Sequence, residues 1–174
     1  MSVISLKLNH ILPINCGEKG RPLFRVICLL PDSFLISKHS VSMTKKEIFG
    51  DTFNSAKKVD QGREKFFKAL LSPLIDPPVS DTDIRRILEA EEDESIVMIP
   101  LREDTLEKRM FHEIESIRLK KDLFSGDGKI EMTLKDNGAM TKHVFSVCAF
   151  TPRGVKDSSG KTKEIFKTLK QQRD

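Results

Sequence analysis

The sequence predicts an α+β fold, a single compact domain in which antiparallel hairpins pack with several helices and a basic helix ends the chain. Three observations predict it. Apolar and polar residues alternate near the start of the chain and again on both sides of Asp136-Asn137-Gly138, the period of strands with one wet face. Between these regions, helix caps precede apolar residues spaced three and four apart. The 174 residues suit one core, because a chain of this size buries about 70% of its extended surface on folding.

The segments divide into N-terminal strands (1–43), a helical region with a Pro-rich linker (44–94, linker 73–78), a strand, helix and hairpin (95–150), and a basic loop with a tail helix (151–174). Ile4, Leu6 and Leu8 alternate with Ser5, Lys7 and Asn9, which predicts a first strand over 3–14. Residues 15–20 are turn material, and the apolar run Leu23 to Leu30 between Pro22 and Pro31 completes a hairpin. A third strand lies near Phe34 to Met43. Thr44-Lys45-Lys46-Glu47 matches a capping box, in which hydroxyl and carboxylate satisfy free backbone N–H groups. The helix it opens breaks near Gly50, resumes from Asp51 with Phe53, Ala56, Phe67, Leu70 and Leu71 as core residues, and stops at Pro73.

Ser80 to Asp83 supply caps for a short helix whose Ile84, Ile87 and Leu88 share a face, and Glu91-Glu92-Asp93-Glu94 reads as a solvated loop because negative charge opposes a helix C-terminus. Ser95 to Leu101 predicts a strand, and Leu106, Met110, Ile114 and Ile117 predict a helix over 103–117. Lys129–Lys135 and Met140–Phe150 flank an Asn-Gly pair that tolerates the positive φ of a tight hairpin turn. Residues 151–160 read as a Pro, Gly and Ser loop, and Lys163 to Lys170 as a basic helix over Ile165, Phe166 and Leu169.

The composition excludes several classes of function. The longest apolar run, Val26 to Leu30, is far short of the roughly eighteen residues a membrane helix needs. Met1 to Asn9 lacks the pattern of a secretory signal, the three cysteines Cys16, Cys28 and Cys148 suit a reducing compartment, and no Asn-x-Ser/Thr acceptor occurs. The expected location is intracellular, in cytoplasm or nucleus. The four histidines are scattered, and His112-Glu113 is followed by Ser116 where a zinc protease helix would carry its second histidine. Ser125-Gly126-Asp127-Gly128-Lys129 lacks the spacing of a phosphate loop, and exposed acids without a shaped pocket do not make an acid–base pair. The chain therefore reads as no enzyme, with no catalytic residue, metal, cofactor or small-molecule substrate.

Charge is more informative than motif. Residues 1–75 carry twelve basic and six acidic groups, 76–94 two and eight, 95–150 nine of each, and 151–174 seven and three. An acidic block thus divides two basic regions, and such a block docks on a basic partner or on the chain itself. Lys45, Lys46, Lys57, Lys58, Arg63, Lys65 and Lys68 form one candidate surface for nucleic acid or anionic lipid, and Lys161, Lys163, Lys167 and Lys170 a second. Trp and Tyr are absent, so contacts to nucleic acid are expected to be electrostatic rather than stacked. Asp81, Asp83, Glu91, Glu92, Asp93 and Glu94 are the candidate self-association residues.

Lys129-Ile130-Glu131-Met132-Thr133-Leu134-Lys135-Asp136, with the length and the basic character, resembles the matrix proteins of plant rhabdoviruses, the cytoplasmic group in particular, where a similar β-strand is common. Animal virus relatives often carry a Pro-Pro-x-Tyr budding motif, and Pro77-Pro78-Val79-Ser80 departs from it by lacking the tyrosine. The resemblance implies a structural assembly protein that condenses a ribonucleoprotein, self-associates, contacts the inner membrane leaflet, and resides in the virion. The competing expectations are a nucleic-acid-binding accessory protein, such as a viral suppressor of RNA silencing or a small regulator, and a protein-only scaffold.

Overall fold

A computed structural model describes residues 2–18, 20–44, 56–121, 128–151 and 154–174 of the chain. The strands are β1 (Val3–Lys7), β2 (Leu12–Asn15), β3 (Leu23–Leu29), β4 (Ser33–Ser37), β5 (Val41–Ser42), β6 (Met98–Arg102), β7 (Leu106–Met110), β8 (Ile114–Lys121), β9 (Gly128–Asp136), β10 (Ala139–Thr151) and β11 (Gly154–Asp157). The helices are α1 (Ala56–Leu71), α2 (Asp81–Glu92) and α3 (Ser159–Arg173). Together they form a single α+β domain whose large sheet is antiparallel throughout.

The large sheet runs β7-β4-β3-β2-β10-β9-β8, with β5 added to β3 and β11 to β10. Its two end strands are consecutive in the chain, separated only by a 3₁₀ turn at Phe111–Glu113. Four Cα steps span at most about 14 Å. A flat sheet would hold its first and seventh strands about 29 Å apart at about 4.8 Å per strand. The sheet must therefore curl into a nearly closed barrel. Arg109 on β7 bears this out, since its Nη1 lies 3.3 Å from the Asp136 carboxylate on β9.

Curling gives the sheet an inside and an outside. Ile14, Ile27, Phe34, Ile36, Ile130, Met132, Leu134, Phe145 and Val147 fill the inside, with Ile165 and Leu169 of α3 packed against them. On the outside of β2, β3 and β4, Phe24, Val26, Cys28 and Leu35 are covered by α1, by α2 and by the separate two-stranded sheet of β1 and β6. Strand β3 is thus buried on both faces, with Val26, Ile27 and Cys28 all fully buried. That is why its sequence is a continuous apolar run instead of an alternation. Phe66 of α1 meets Phe24 edge-to-face at 5.0 Å, an arrangement that contributes about 0.5–1.5 kcal/mol beyond its area.

Four expectations are corrected. The strand over 3–14 is two strands in two different sheets, because a 3₁₀ turn at Leu8–His10 redirects the chain from the outer core to the barrel. No helix forms over 103–117. Leu106 lies in the outer core while Ile114 and Ile117 pack inside, so their helical spacing is shared between two strands on opposite faces. Gly154–Asp157 pairs back onto Cys148–Thr151 and is a strand, not a loop. Glu91 and Glu92 belong to the last turn of α2, and the loop begins only at Asp93. The third strand is β4 with a short β5 after it.

The β9–β10 hairpin agrees with the sequence reading. Asp136 faces Ala139 across a two-residue turn in which Asn137 has φ 46° and Gly138 φ 85°. The Ser80 cap also agrees, its hydroxyl accepting from the Asp83 N–H. Of the predicted Thr44–Glu47 box, the break at Gly50 and Phe53, all but Thr44 lie outside the described residues.

Candidate anion-binding surfaces

Of the first predicted basic surface, Arg63 and Lys68 are engaged within the chain. Lys45 and Lys46 lie outside the described residues, and Lys57 and Lys58 fall in the first turn of α1. Arg63 reaches across to α2 with both terminal nitrogens, to Glu91 at 3.1 Å and Glu92 at 3.0 Å, while its guanidinium lies 5.9 Å from the Phe67 ring. Lys68 contacts Asp81 at 2.7 Å, and that contact holds the Asp81 carboxyl below its usual range. Glu64 and Arg85 pair in the opposite sense at 3.2 Å.

Two sets of predicted residues therefore meet each other. Candidate binding residues Arg63 and Lys68 are bonded to candidate self-association residues Glu91, Glu92 and Asp81. Asp83 lies 3.9 Å from Arg86, and Asp93 and Glu94 are exposed beyond the helix. Lys65 remains exposed on the outer side of α1. Asp81, Glu91 and Glu92 thus tie α2 to α1, with apolar Ile84, Ile87 and Leu88 in the core beneath.

The second predicted surface stays open. Helix α3 is anchored by Thr162, whose hydroxyl accepts from the Val147 N–H at 3.0 Å and donates to the Ser158 carbonyl at 2.6 Å. Thr162, Ile165 and Leu169 are buried, so Lys163, Lys167 and Lys170, spaced four and three apart, form one stripe on the opposite, exposed side. Lys170 also lies 5.9 Å from the Phe166 ring. Lys161 is on another side of the helix, beside a recess shared with His10, Leu12 and Leu29. None of these four lysines takes part in an ion pair with the described residues.

A third basic surface escaped the sequence reading. None of the described helices covers the barrel wall on the outside of β8, β9 and β10. Arg118 faces Glu131, which faces Val144 on its other side, while Lys120 faces Lys129, Lys142 faces Thr133, and Lys135 faces Met140. Glu131, with its side chain 10% exposed, sits among these cations, 2.7 Å from Arg118 and 2.9 Å from Lys142. Hydrogen bonds from Lys142 and Arg118 keep its carboxyl ionised below the usual range. Val144 and Met140 are exposed apolar neighbours. The signal was present as Lys129, Glu131, Thr133 and Lys135 at every second position, but alternation alone does not reveal which face a fold leaves uncovered.

Among the described residues, no three or more His, Cys, Asp or Glu side chains gather where they could hold a metal ion. Cys28 is buried and its thiol is pushed up to about 12, and burial raises Cys148 further, so neither supplies a thiolate at neutral pH. His143, inside the barrel, has its pKa lowered, by burial above all. His112 is exposed and Cys28 lies in the outer core. Compared with protein families, with curated proteins and with solved structures, the chain matches none.

Proposed function

We propose that this chain is a non-enzymatic structural protein of assembly, matrix-like in role, that bridges a ribonucleoprotein and an anionic membrane surface through basic surfaces and self-association. The observation that carries the reading is the stripe of Lys163, Lys167 and Lys170, exposed and without ion pairs to the described residues on a helix pinned to the barrel. A lysine near anionic headgroups contributes about 1 kcal/mol, so the stripe supplies about 3 kcal/mol, roughly a hundredfold in partitioning. The resemblance of Lys129–Asp136 to a rhabdovirus matrix strand is consistent with this role. With Asp81, Asp83, Glu91 and Glu92 paired in cis, Asp93 and Glu94 are the acids of the predicted set left to meet a second copy.

The alternative, an accessory protein that binds nucleic acid alone, shares the basic surfaces but needs no lipid. Co-flotation of the purified protein with phosphatidylserine vesicles and with neutral vesicles, at low and high salt, separates the two. The assembly reading expects flotation with the anionic vesicles only, weakened by salt and lost in the triple variant Lys163→Gln, Lys167→Gln, Lys170→Gln. RNA retention without flotation would replace it with the accessory reading, and retention by neither ligand would replace it with a protein-only scaffold.

A further inference from the structure

We infer that the outer wall of β8, β9 and β10, free of the described helices, is the surface that holds the sugar-phosphate backbone of single-stranded RNA, through Arg118, Lys120, Lys129, Lys135 and Lys142. The inference rests on the ribonucleoprotein contact proposed above and assigns that contact to a surface separate from α3. Charge complementarity selects the occupant. Among the described residues of the wall, five cations surround one acid, Glu131, and that acid orients two of them. Glu115, on β8 at the bulge between Ile114 and Ser116, is the nearest other acid of the same strand.

Shape distinguishes RNA from the other polyanions. Cations on alternate residues of one strand repeat at about 6.7 Å and on neighbouring strands at about 4.8 Å, so the patch measures roughly 10 by 20 Å. Three adjacent strands of a barrel this size cover roughly a quarter of its circumference, so side chains on β8 and β10 diverge. A flat bilayer or a rigid duplex meets such a convex wall along a line and reaches only some of the cations. A flexible single strand follows the curve and brings successive phosphates to successive side chains. Among the described residues the wall presents no aromatic side chain, and Met140 and Val144 are its only large apolar groups, so the contact expected of it is to backbone and not to base sequence.

The test is fluorescence anisotropy of a labelled oligouridylate of about twenty nucleotides, long enough to cross the patch several times at the spacings above, titrated with the full chain over a range of salt. The wall variant Lys120→Gln, Lys129→Gln, Lys135→Gln leaves both partners of Glu131 in place and touches no buried side chain. Each phosphate contact on a single strand contributes about 0.7 to the slope of log affinity against log salt, so the variant is expected to lower that slope by about 2 and to weaken binding at least tenfold. The same three positions changed to Arg are expected to retain wild-type binding, and the α3 triple variant to keep the wild-type slope. An unchanged slope in the wall variant, a loss confined to the α3 variant, or no RNA binding by the wild-type chain would overturn the assignment. Absence of vesicle flotation, with the wall dependence intact, would count against the membrane-bridging reading alone.

Discussion

Thr162→Val tests whether α3 is fastened to the barrel by a single hydroxyl. The substitution preserves shape and burial but removes the acceptor for the Val147 N–H, a fully buried donor at 3.0 Å, and the donor to the Ser158 carbonyl at 2.6 Å. The Ser158 N–H still donates to the Val147 carbonyl at 2.8 Å, so one link between helix and strand survives. A buried donor left without a partner costs about 1–3 kcal/mol. For a domain of this length each kcal/mol lowers Tm by roughly 2–4 °C, which gives a fall of roughly 4–8 °C for a cost of about 2 kcal/mol. Thr162→Ser keeps the hydroxyl and removes one buried methyl, at a cost of about 1 kcal/mol. Thermal melting and urea unfolding, each followed by far-UV circular dichroism, measure the shift in Tm and the two costs. If Val proves as stable as wild type, or less damaging than Ser, the hydroxyl is not the anchor and the account of α3 fails.

Arg63→Ala removes two ion pairs and the approach to Phe67 together, and is expected to cost about 1 kcal/mol at low salt and less in 1 M NaCl, as read by thermal melting. His143 has its pKa depressed below the ordinary 6.5 and Glu131 below 4.5, so the unfolded chain takes up more protons than the folded one below each ordinary value. Stability is therefore expected to fall as pH drops below about 6.5 and more steeply below about 4.5, and His143→Gln to delay the onset in a series of urea titrations. Cys28 and Cys148 should resist an added disulfide reagent at pH 8 in the native protein and react on unfolding, while half-buried Cys16, whose thiol is raised less far, is the first to react.

Local chemistry made parts of this fold legible in the sequence. Asn137-Gly138 admits the positive φ pair of a tight turn, and Ser80 caps α2, because each depends on neighbours within a few residues. Elements set by distant partners were misread. Leu106, Met110, Ile114 and Ile117 carry helical spacing, yet the curled sheet requires β7 and β8 at its two ends and overrides that periodicity. Phe66 was passed over in favour of Phe67, although Phe66 is the more buried and meets Phe24. The exposed α3 lysines are legible because they cluster in sequence. The wall cations were missed because Arg118, Lys129 and Lys142 come from three strands and only pairing brings them together.

The most direct test of the account is a gradient in which labelled RNA, anionic vesicles and the protein are floated together. The account predicts that RNA rises with the vesicles only when the protein is present, and that either the α3 triple variant or the wall triple variant leaves it at the bottom. RNA that stays behind with the wild-type protein, while the vesicles carry the protein up, would contradict the bridge.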